Sequence, residues 1–349
     1  MFDTMTSKTG SWLAAEGSES TVVLSSRVRL ARNVKGLVYP PYADTDSSAR
    51  VVDFVETAIK NSRLLSEADF YRSDDIGDLD RSFLIERHLI SPEFMRTPNV
   101  SGLCIDRDER LAIMINEEDH LRIQSLCSGL CLRNALNQAM DVDDDLSTTL
   151  EFDYDTDFGF LTSCPTNVGT GMRASVLIHL AGLVLTKEID SVIDHITRLG
   201  MVVRGFYGEG SDVWGNLFQI GNQTTLGRSE SEIADALEKV TRQIIEFENK
   251  ARERLIADAK DEISDKVWRA YGILRNARVL TSEETMNLLS AVRVGIALGI
   301  FDVVSVKSVN ELLLMSQPAH LQKHVGAALS PAERDVARAQ LVRERLSGG

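Results

Sequence analysis

Apolar and polar positions alternate over residues 21–30 (TVVLSSRVRL), which predicts a strand with Arg27 and Arg29 on one face and Val28 and Leu30 on the other. Pro40 and Pro41 open a turn. Val51, Val55, Ala58 and Ile59 recur at helical spacing and predict a helix over 47–65, while the acidic stretch 71–81 reads as a surface loop. Leu111, Ile113 and Ile115 alternate toward an acidic turn at 116–120. Leu121 and Ile123 then alternate with Arg122 and Gln124, as a return strand would. A helix is predicted over 129–140, a strand over 158–163, a loop over 164–171 and a buried helix over 172–185. A Gly-rich loop at 205–210 precedes an apolar strand over 213–220.

The pattern changes after Gly227. Four boxes of the form S/T-x-x-E follow, at Ser229/Glu232, Thr281/Glu284, Ser308/Glu311 and Ser330/Glu333, each of the kind that caps a helix start. Ile233, Leu237, Val240 and Ile244 keep helical spacing behind the first, and Pro331 suits a first helical position behind the last. The C-terminal third therefore reads as almost all helix. A soft boundary falls in the charged stretch 251–263, which divides the chain into domains 1–255 and 256–349.

Composition narrows the functional classes. Hydrophobic residues make up 43% and charged residues 26% of 349, which is ordinary for a globular chain of about two domains. The net charge of −14 argues against a general binder of nucleic acid or of an anionic membrane, so any phosphate must meet a local arginine cluster. The longest apolar stretches, 174–185 and 288–306, are interrupted by His179 and by Arg293 and Asp302, and fall short of the roughly 20 clean residues of a span. The first 24 residues lack the pattern of a signal peptide, so a cytoplasmic location is expected. Cys104, Cys127, Cys131 and Cys164 form no CxxC, although Cys127 and Cys131 can lie near each other on a helix; no metal site is expected.

Three segments carry candidate chemistry. The turn Asn116-Glu117-Glu118-Asp119-His120 is either a solvated hairpin tip or a carboxylate site that holds a cation and takes its proton. The loop Cys164-Pro165-Thr166-Asn167-Val168-Gly169-Thr170-Gly171 is either a plain strand–helix turn or a close approach to an anionic ligand at a helix N-terminus, with Arg173 in the first turn; it lacks the G-K-[ST] of a P-loop. Three glycines in residues 204–210 suggest a lid or a simple connection. Arg27, Arg29, Arg122, Arg173 and Arg204 all lie on strands or beside loops, and arginine suits bidentate phosphate binding. Arginines for phosphates with carboxylates for a guanidinium would make phosphoryl transfer to arginine.

Four ordered motifs then resemble the ATP:guanido phosphotransferases, the creatine and arginine kinase family: SSRVRLARN at 25–33, INEEDHLR at 115–122, LTSCPTNVGTGMRAS at 161–175 and RGFYGEGSDVWGNLFQIGNQTTLG at 204–227. The resemblance is nearest to the bacterial branch that phosphorylates arginine in proteins. Only 24 residues precede the SSRVR strand, where kinases of small guanidino compounds carry a helical domain, and residues 334–339 match that branch's RDxxRA motif.

The resemblance implies an α+β fold: a large antiparallel sheet flanked by helices, then an all-helical C-terminal domain for dimerisation and phosphoarginine sensing. It implies ATP at Ser25, Ser26, Arg27, Val28, Arg29, His88, Arg122, Arg173, Ala174, Ser175, Val176, Leu177, Arg204, Gly205, Phe206, Tyr207, Gly208 and Glu209, with Mg²⁺ held mainly by ATP. Glu118 matches the catalytic carboxylate, Glu209 a second guanidinium-holding carboxylate, and Cys164 the reactive loop cysteine. Arg334, Asp335, Val336, Ala337, Arg338 and Ala339 match an allosteric phosphoarginine site, where Arg334 and Arg338, one helical turn apart, can fork around one phosphate. The implied partners are arginine-bearing protein substrates, among them a transcriptional repressor, with an activator protein, a Clp-type protease and a second copy of the chain. A kinase of a free guanidino compound and a non-catalytic phosphoarginine-binding adaptor are the alternative readings.

Overall fold

The computed structural model of the chain describes residues 2–6, 8–96, 100–205 and 214–347. Helix α1 (Asp3–Thr6) leads to strand β1 (Val23–Arg32), then α2 (Thr45–Asn61), β2 (Asp69–Arg72) and α3 (Asp78–Glu86). Strands β3 (Gly102–Ile105), β4 (Leu111–Ile115) and β5 (Leu121–Ser128) precede α4 (Leu132–Ser147) and the two-residue strands β6 (Tyr154–Asp155) and β7 (Gly159–Phe160). Next come β8 (Met172–His179), α5 (Ala181–Leu185), α6 (Ile189–Arg198), β9 (Met201–Arg204) and β10 (Leu217–Asn222). Helices α7 (Glu230–Asn276), α8 (Ser282–Ala297), α9 (Val306–Met315), α10 (Pro318–Val325) and α11 (Pro331–Ser347) follow.

Eight strands form one antiparallel sheet in the order β2-β3-β4-β5-β1-β8-β10-β9, so the expected α+β architecture is the one found. Strand alternation divides its two faces. Val28, Leu30, Ala174, Val176, Ile123 and Ile220 pack with residues of α2, α4 and α7 in one buried core. Leu126, Leu177, Leu103 and Met114 on the other face join a second core with Trp12, Phe83 and the C-terminal helices. This second core runs without a break from the N-terminal segment to α11: Asn310 Nδ2 donates to Leu13 O, and Arg293 Nη2 to Ser20 O.

Several expected elements differ. The predicted helix over 172–185 is mostly strand: β8 sits between β1 and β10, and only Ala181–Leu185 is helical. A strand covered on both faces reads as an unbroken apolar run, which periodicity cannot tell from a buried helix. The helix N-terminus expected beside Arg173 is therefore absent. The predicted loop over 71–81 is the end of β2, a short 3-10 turn and the start of α3, whose first turn holds the acidic residues Asp78 and Asp80. The strand expected over 158–163 shrinks to Gly159–Phe160, and that expected over 213–220 begins at Leu217.

The capping boxes at Ser229 and Ser330 form, with Ser229 N donating to Glu232 Oε2 and Ser330 N to Glu333 Oε2. Thr281 caps α8 through Glu284 N. The box at Ser308/Glu311 does not form, because α9 starts three residues earlier and Ser305 Oγ accepts from Ser308 N. Helix α7 carries one break, at Ala259, with φ −144° and ψ 35°.

Candidate active site

The central strands carry a row of cations on the face away from α4 and α7. Arg27 lies level with Leu126 of β5 and Ser175 of β8; Arg29 lies level with Gln124 and Arg173; Arg204 of β9 faces Gln219 of β10. Residues level in antiparallel strands share a face, so Arg27, Arg29, Arg122 and Arg204 converge. Burial, then the charges of Arg122 and Arg204, push Arg27 down to about 10. Arg29 is pushed well below the usual guanidinium range, by burial first and by Arg27 next. Its Nε is buried with no hydrogen-bond partner among the described residues. Gathering half-buried like charges is costly without an anion.

The same alternation sorts the other predicted nucleotide residues. Ser25, Ser175 and Leu177 line a cleft with Arg27 and His88, whereas Val28, Ala174 and Val176 are buried in the core behind the sheet. Ser26 also faces away, and its hydroxyl donates to Gly129 O. Trp12, Leu126 and Gln219 complete the cleft; sequence reasoning missed them, since nothing in the local pattern places Trp12 beside a strand over a hundred residues away. His88 has φ +58° and packs edge-on to Trp12. Burial, with Arg27 and Arg29 beside it, lowers His88 to about 3, so the ring is neutral. Gly205 pairs at the end of β9, and Phe206, Tyr207, Gly208 and Glu209 lie outside the described residues.

The acidic turn is no solvated hairpin tip. Asn116 takes the left-handed conformation that asparagine tolerates (φ +57°), and its Nδ2 donates to Ser48 O and Val100 O. Glu117 is buried and accepts from Ser91 Oγ and, at 2.5 Å, from Arg122 Nη1. Asp119 Oδ1 accepts from Asn33 Nδ2 at 2.7 Å and from Ser163 N at 2.6 Å. His120 Nδ1 accepts from Val34 N, so its Nε2 carries the proton and donates to Val38 O. These contacts leave Glu118, with a side chain 40% exposed, as the carboxylate that reaches outward.

Glu118 Oε2 accepts from Arg122 Nη2 at 3.3 Å and from Asn167 Nδ2 at 3.5 Å, and Cys164 lies close enough to act on its pKa. Burial raises its pKa against the opposing pull of Arg122. The loop bearing Cys164 is fixed from three sides. Ser163 N is held by Asp119, Arg173 donates to Asn167 Oδ1, Thr166 O and Gln223 O, and Arg32, in a buried pair with Asp143, donates to Thr170 O. Arg173 is thus turned to the loop while the other four arginines converge. The loop glycines serve backbone packing: a Cβ on Gly169 would lie 2.4 Å from Thr225 O, and one on Gly171 2.5 Å from Ala31 O.

On α11, Arg338 and Ala339 are buried, and Arg338 donates to Ser316 O, Leu280 O and Asp335 Oδ1. Arg334 is half-buried and close enough to lower the pKa of Arg338, although burial is the larger cause.

Residues 50–251 match the family ATP:guanido phosphotransferase, C-terminal catalytic domain, and residues 260–348 match the Protein-arginine kinase McsB C-terminal domain. The chain is 46% identical over 339 residues to "Protein-arginine kinase" of Symbiobacterium thermophilum, covering 96% of each chain. It is 44% identical over 338 residues to the protein of the same name from Bacillus subtilis, covering 96% of this chain and 93% of that one. Among solved structures, lombricine kinase aligns with a TM-score of 0.59 at 25% identity over 70% of both chains. The duplicated taurocyamine kinase of Schistosoma mansoni, with bound transition-state analogue components, aligns with a TM-score of 0.61 at 25% identity, over 70% of this chain and 35% of that one.

Proposed function

The chain belongs to the ATP:guanido phosphotransferase family, and we propose that it is a protein-arginine kinase that transfers the γ-phosphoryl of ATP to arginine side chains. The observation that carries the reading is the set of four converging arginines, of which Arg27 and Arg29 are half-buried and lowered by burial first and by neighbouring arginine charges next, beside an outward carboxylate. A polyphosphate supplies negative charge beside Arg27 and Arg29, and the orphaned Arg29 Nε fits a phosphate oxygen. Mg²⁺ carried on the phosphate oxygens and water supplies further charge neutralisation, and no side chain of this chain is assigned to it.

The nucleotide lies in the cleft of Trp12, Ser25, Arg27, His88, Ser175 and Leu177, and its phosphates reach Arg29, Arg122 and Arg204. A guanidinium with pKa above about 12 is a poor nucleophile until it is held and deprotonated. Glu118 holds one edge of it and takes the proton as a terminal nitrogen attacks the γ-phosphorus. Glu209 holds the other edge. Cys164, near Glu118 and within 3.1 Å of Thr166 Oγ1, steadies the guanidinium from the loop side. Arg122 acts twice, since it also fixes Glu117 and Glu118.

The catalytic part is 1–255 and the regulatory part 256–349, where residues 334–339 sense phosphoarginine and the helices supply a dimer contact. The break of α7 at Ala259 and the separate family matches on either side of it support that division. Targets and assistants are proteins: a repressor, an activator and a Clp-type protease that removes what is marked. Among the described residues no helix is long and apolar enough to cross a membrane.

The test is incubation with Mg-ATP and, at equal guanidinium concentration, an unfolded protein, free arginine or creatine. Acid-labile phosphate is then mapped by mass spectrometry. Phosphate on protein arginine with little turnover of the free compounds is expected; faster turnover of a free compound overturns the protein-kinase reading.

A further inference from the structure

The turn between β5 and α4 carries two thiols that phosphoryl transfer does not use. Cys127 is level with Ser26 across β1 and β5, so it points to the side of the Ser26 hydroxyl, away from the arginines. The chain turns through Ser128 and Gly129 (φ +70°) and returns over the same serine. Cys131, the N-cap of α4, donates its N–H to Ser26 Oγ at 3.0 Å, and Ser26 Oγ donates to Gly129 O at 2.9 Å. Both residues lie beside that serine and are only partly buried; Cys131 Sγ donates to Ser128 O at 3.3 Å and Cys127 Sγ to Gln138 Oε1 at 3.8 Å. Cys131 first, then the guanidinium of Arg110, hold the Cys127 thiol below its ordinary range, against burial, and Cys127 in turn raises Cys131. Cys127 is therefore the better nucleophile and Cys131 the resolving partner.

We propose that Cys127 and Cys131 are a redox-modifiable dithiol, closed to a disulfide by a hydroperoxide, and that closure weakens nucleotide binding through Ser25 and Ser26. The Cys127 thiolate attacks one peroxide oxygen, the O–O bond breaks, and the departing oxygen leaves protonated as an alcohol or water. Cys127 becomes a sulfenic acid, oxidised by two electrons while the peroxide is reduced. The Cys131 sulfur then attacks the Cys127 sulfur, an S–S bond replaces the S–O bond, and hydroxide leaves as water with the Cys131 proton. Ser25 and Leu126, the chain neighbours of Ser26 and Cys127, line the nucleotide cleft. Drawing the thiols together strains the turn that Ser26 holds from behind the cleft. This coupling rests on the nucleotide reading above; the dithiol chemistry does not.

The full chain, treated with hydrogen peroxide, alkylated and digested with trypsin, gives a peptide spanning residues 123–133 that holds both cysteines and neither of the others. The expected peptide is unalkylated and two hydrogens lighter than the dithiol, and takes two alkyl groups after dithiothreitol. Persistent double alkylation after peroxide overturns the dithiol. A fluorescent ATP analogue should bind the oxidised protein at least about 5-fold more weakly, the usual scale of a coupling between sites, with recovery on reduction. Cys131→Ser, which keeps a favoured N-cap, should bind the analogue normally and ignore peroxide. A disulfide with unchanged affinity overturns the coupling. Failure of the reduced wild type to bind the analogue overturns the nucleotide reading and the coupling with it, and leaves the dithiol to the mass spectrum.

Discussion

Glu117 and Asp119 flank Glu118 in the acidic turn, yet both are engaged inward, by Ser91 and Arg122 and by Asn33 and Ser163. Catalysis by this turn therefore falls on one carboxylate, and Glu118→Gln removes its charge while keeping its shape and its contact with Arg122. On the proposed mechanism kcat should fall at least about 100-fold, with ATP affinity little changed because the arginine row is untouched. Steady-state rates on a protein acceptor and a nucleotide titration check this; a near-normal rate in a folded variant would remove Glu118 from the chemistry. The same residue sets a pH dependence. Burial raises its pKa above the ordinary 4.5, so the active carboxylate form is present at higher pH and is lost as pH falls through that raised value. The acid limb of kcat/KM should accordingly lie above 4.5. A limb at or below that value would assign it to another group.

At the scale of elements, local chemistry and sheet context pull in different directions, and helix α9 shows how to separate them. Both Ser305 and Ser308 are acceptable cap residues, and the box pattern favours Ser308; the structure gives the cap to Ser305, whose hydroxyl accepts from Ser308 N. Ser305→Ala should then cost about 1 kcal/mol and Ser308→Ala only a few tenths, as read from denaturation midpoints; the reverse order would restore the start at Ser308. Caps at Ser229, Thr281 and Ser330 were legible because a helix start is a local event of four residues. Strand β8 was not: its run from Met172 to His179 is covered on both sides, and its period vanished with its exposed face. The site divides in the same way. Arg27, Arg29, Arg122 and Glu118 could be named from alternation and from motif resemblance. The buried network of Asn33, Asp119 and Ser163 depends on contacts between segments far apart in the chain, and so does the place of Trp12.

Across the whole molecule, α11 packs Ala339, Val342 and Leu346 into the second core, and Arg343 donates to Ala277 O while Arg338 ties it to two further segments. The Arg338 guanidinium donates to Leu280 O, just ahead of α8, and to Ser316 O at the end of α9, while Leu280 N donates to Asp335 O. Next to this joint, Glu86 at the end of α3 accepts from Ala319 N and His320 N of α10, two residues before His88 of the nucleotide cleft. A phosphate arriving at residues 334–339 would therefore act on a packed path between α11 and the cleft. Arg334 and Arg338 should not behave alike when each is removed. Arg338→Ala leaves buried carbonyls unmet and should cost at least about 2 kcal/mol, since hydrogen bonds from a charged donor contribute about 1.5–3 kcal/mol. Arg334→Ala, at a half-buried position, should change stability by less than about 0.5 kcal/mol. If Arg334 supplies a free arm of the phosphate fork, that mild variant should nonetheless lose phosphoarginine binding, measured by calorimetry, while ATP binding survives. Because coupling between two ligands is reciprocal, phosphoarginine should also shift ATP affinity in the wild type and not in Arg334→Ala. Retained phosphoarginine binding in Arg334→Ala would place the sensor elsewhere and leave α11 with the structural role that Arg338 already performs.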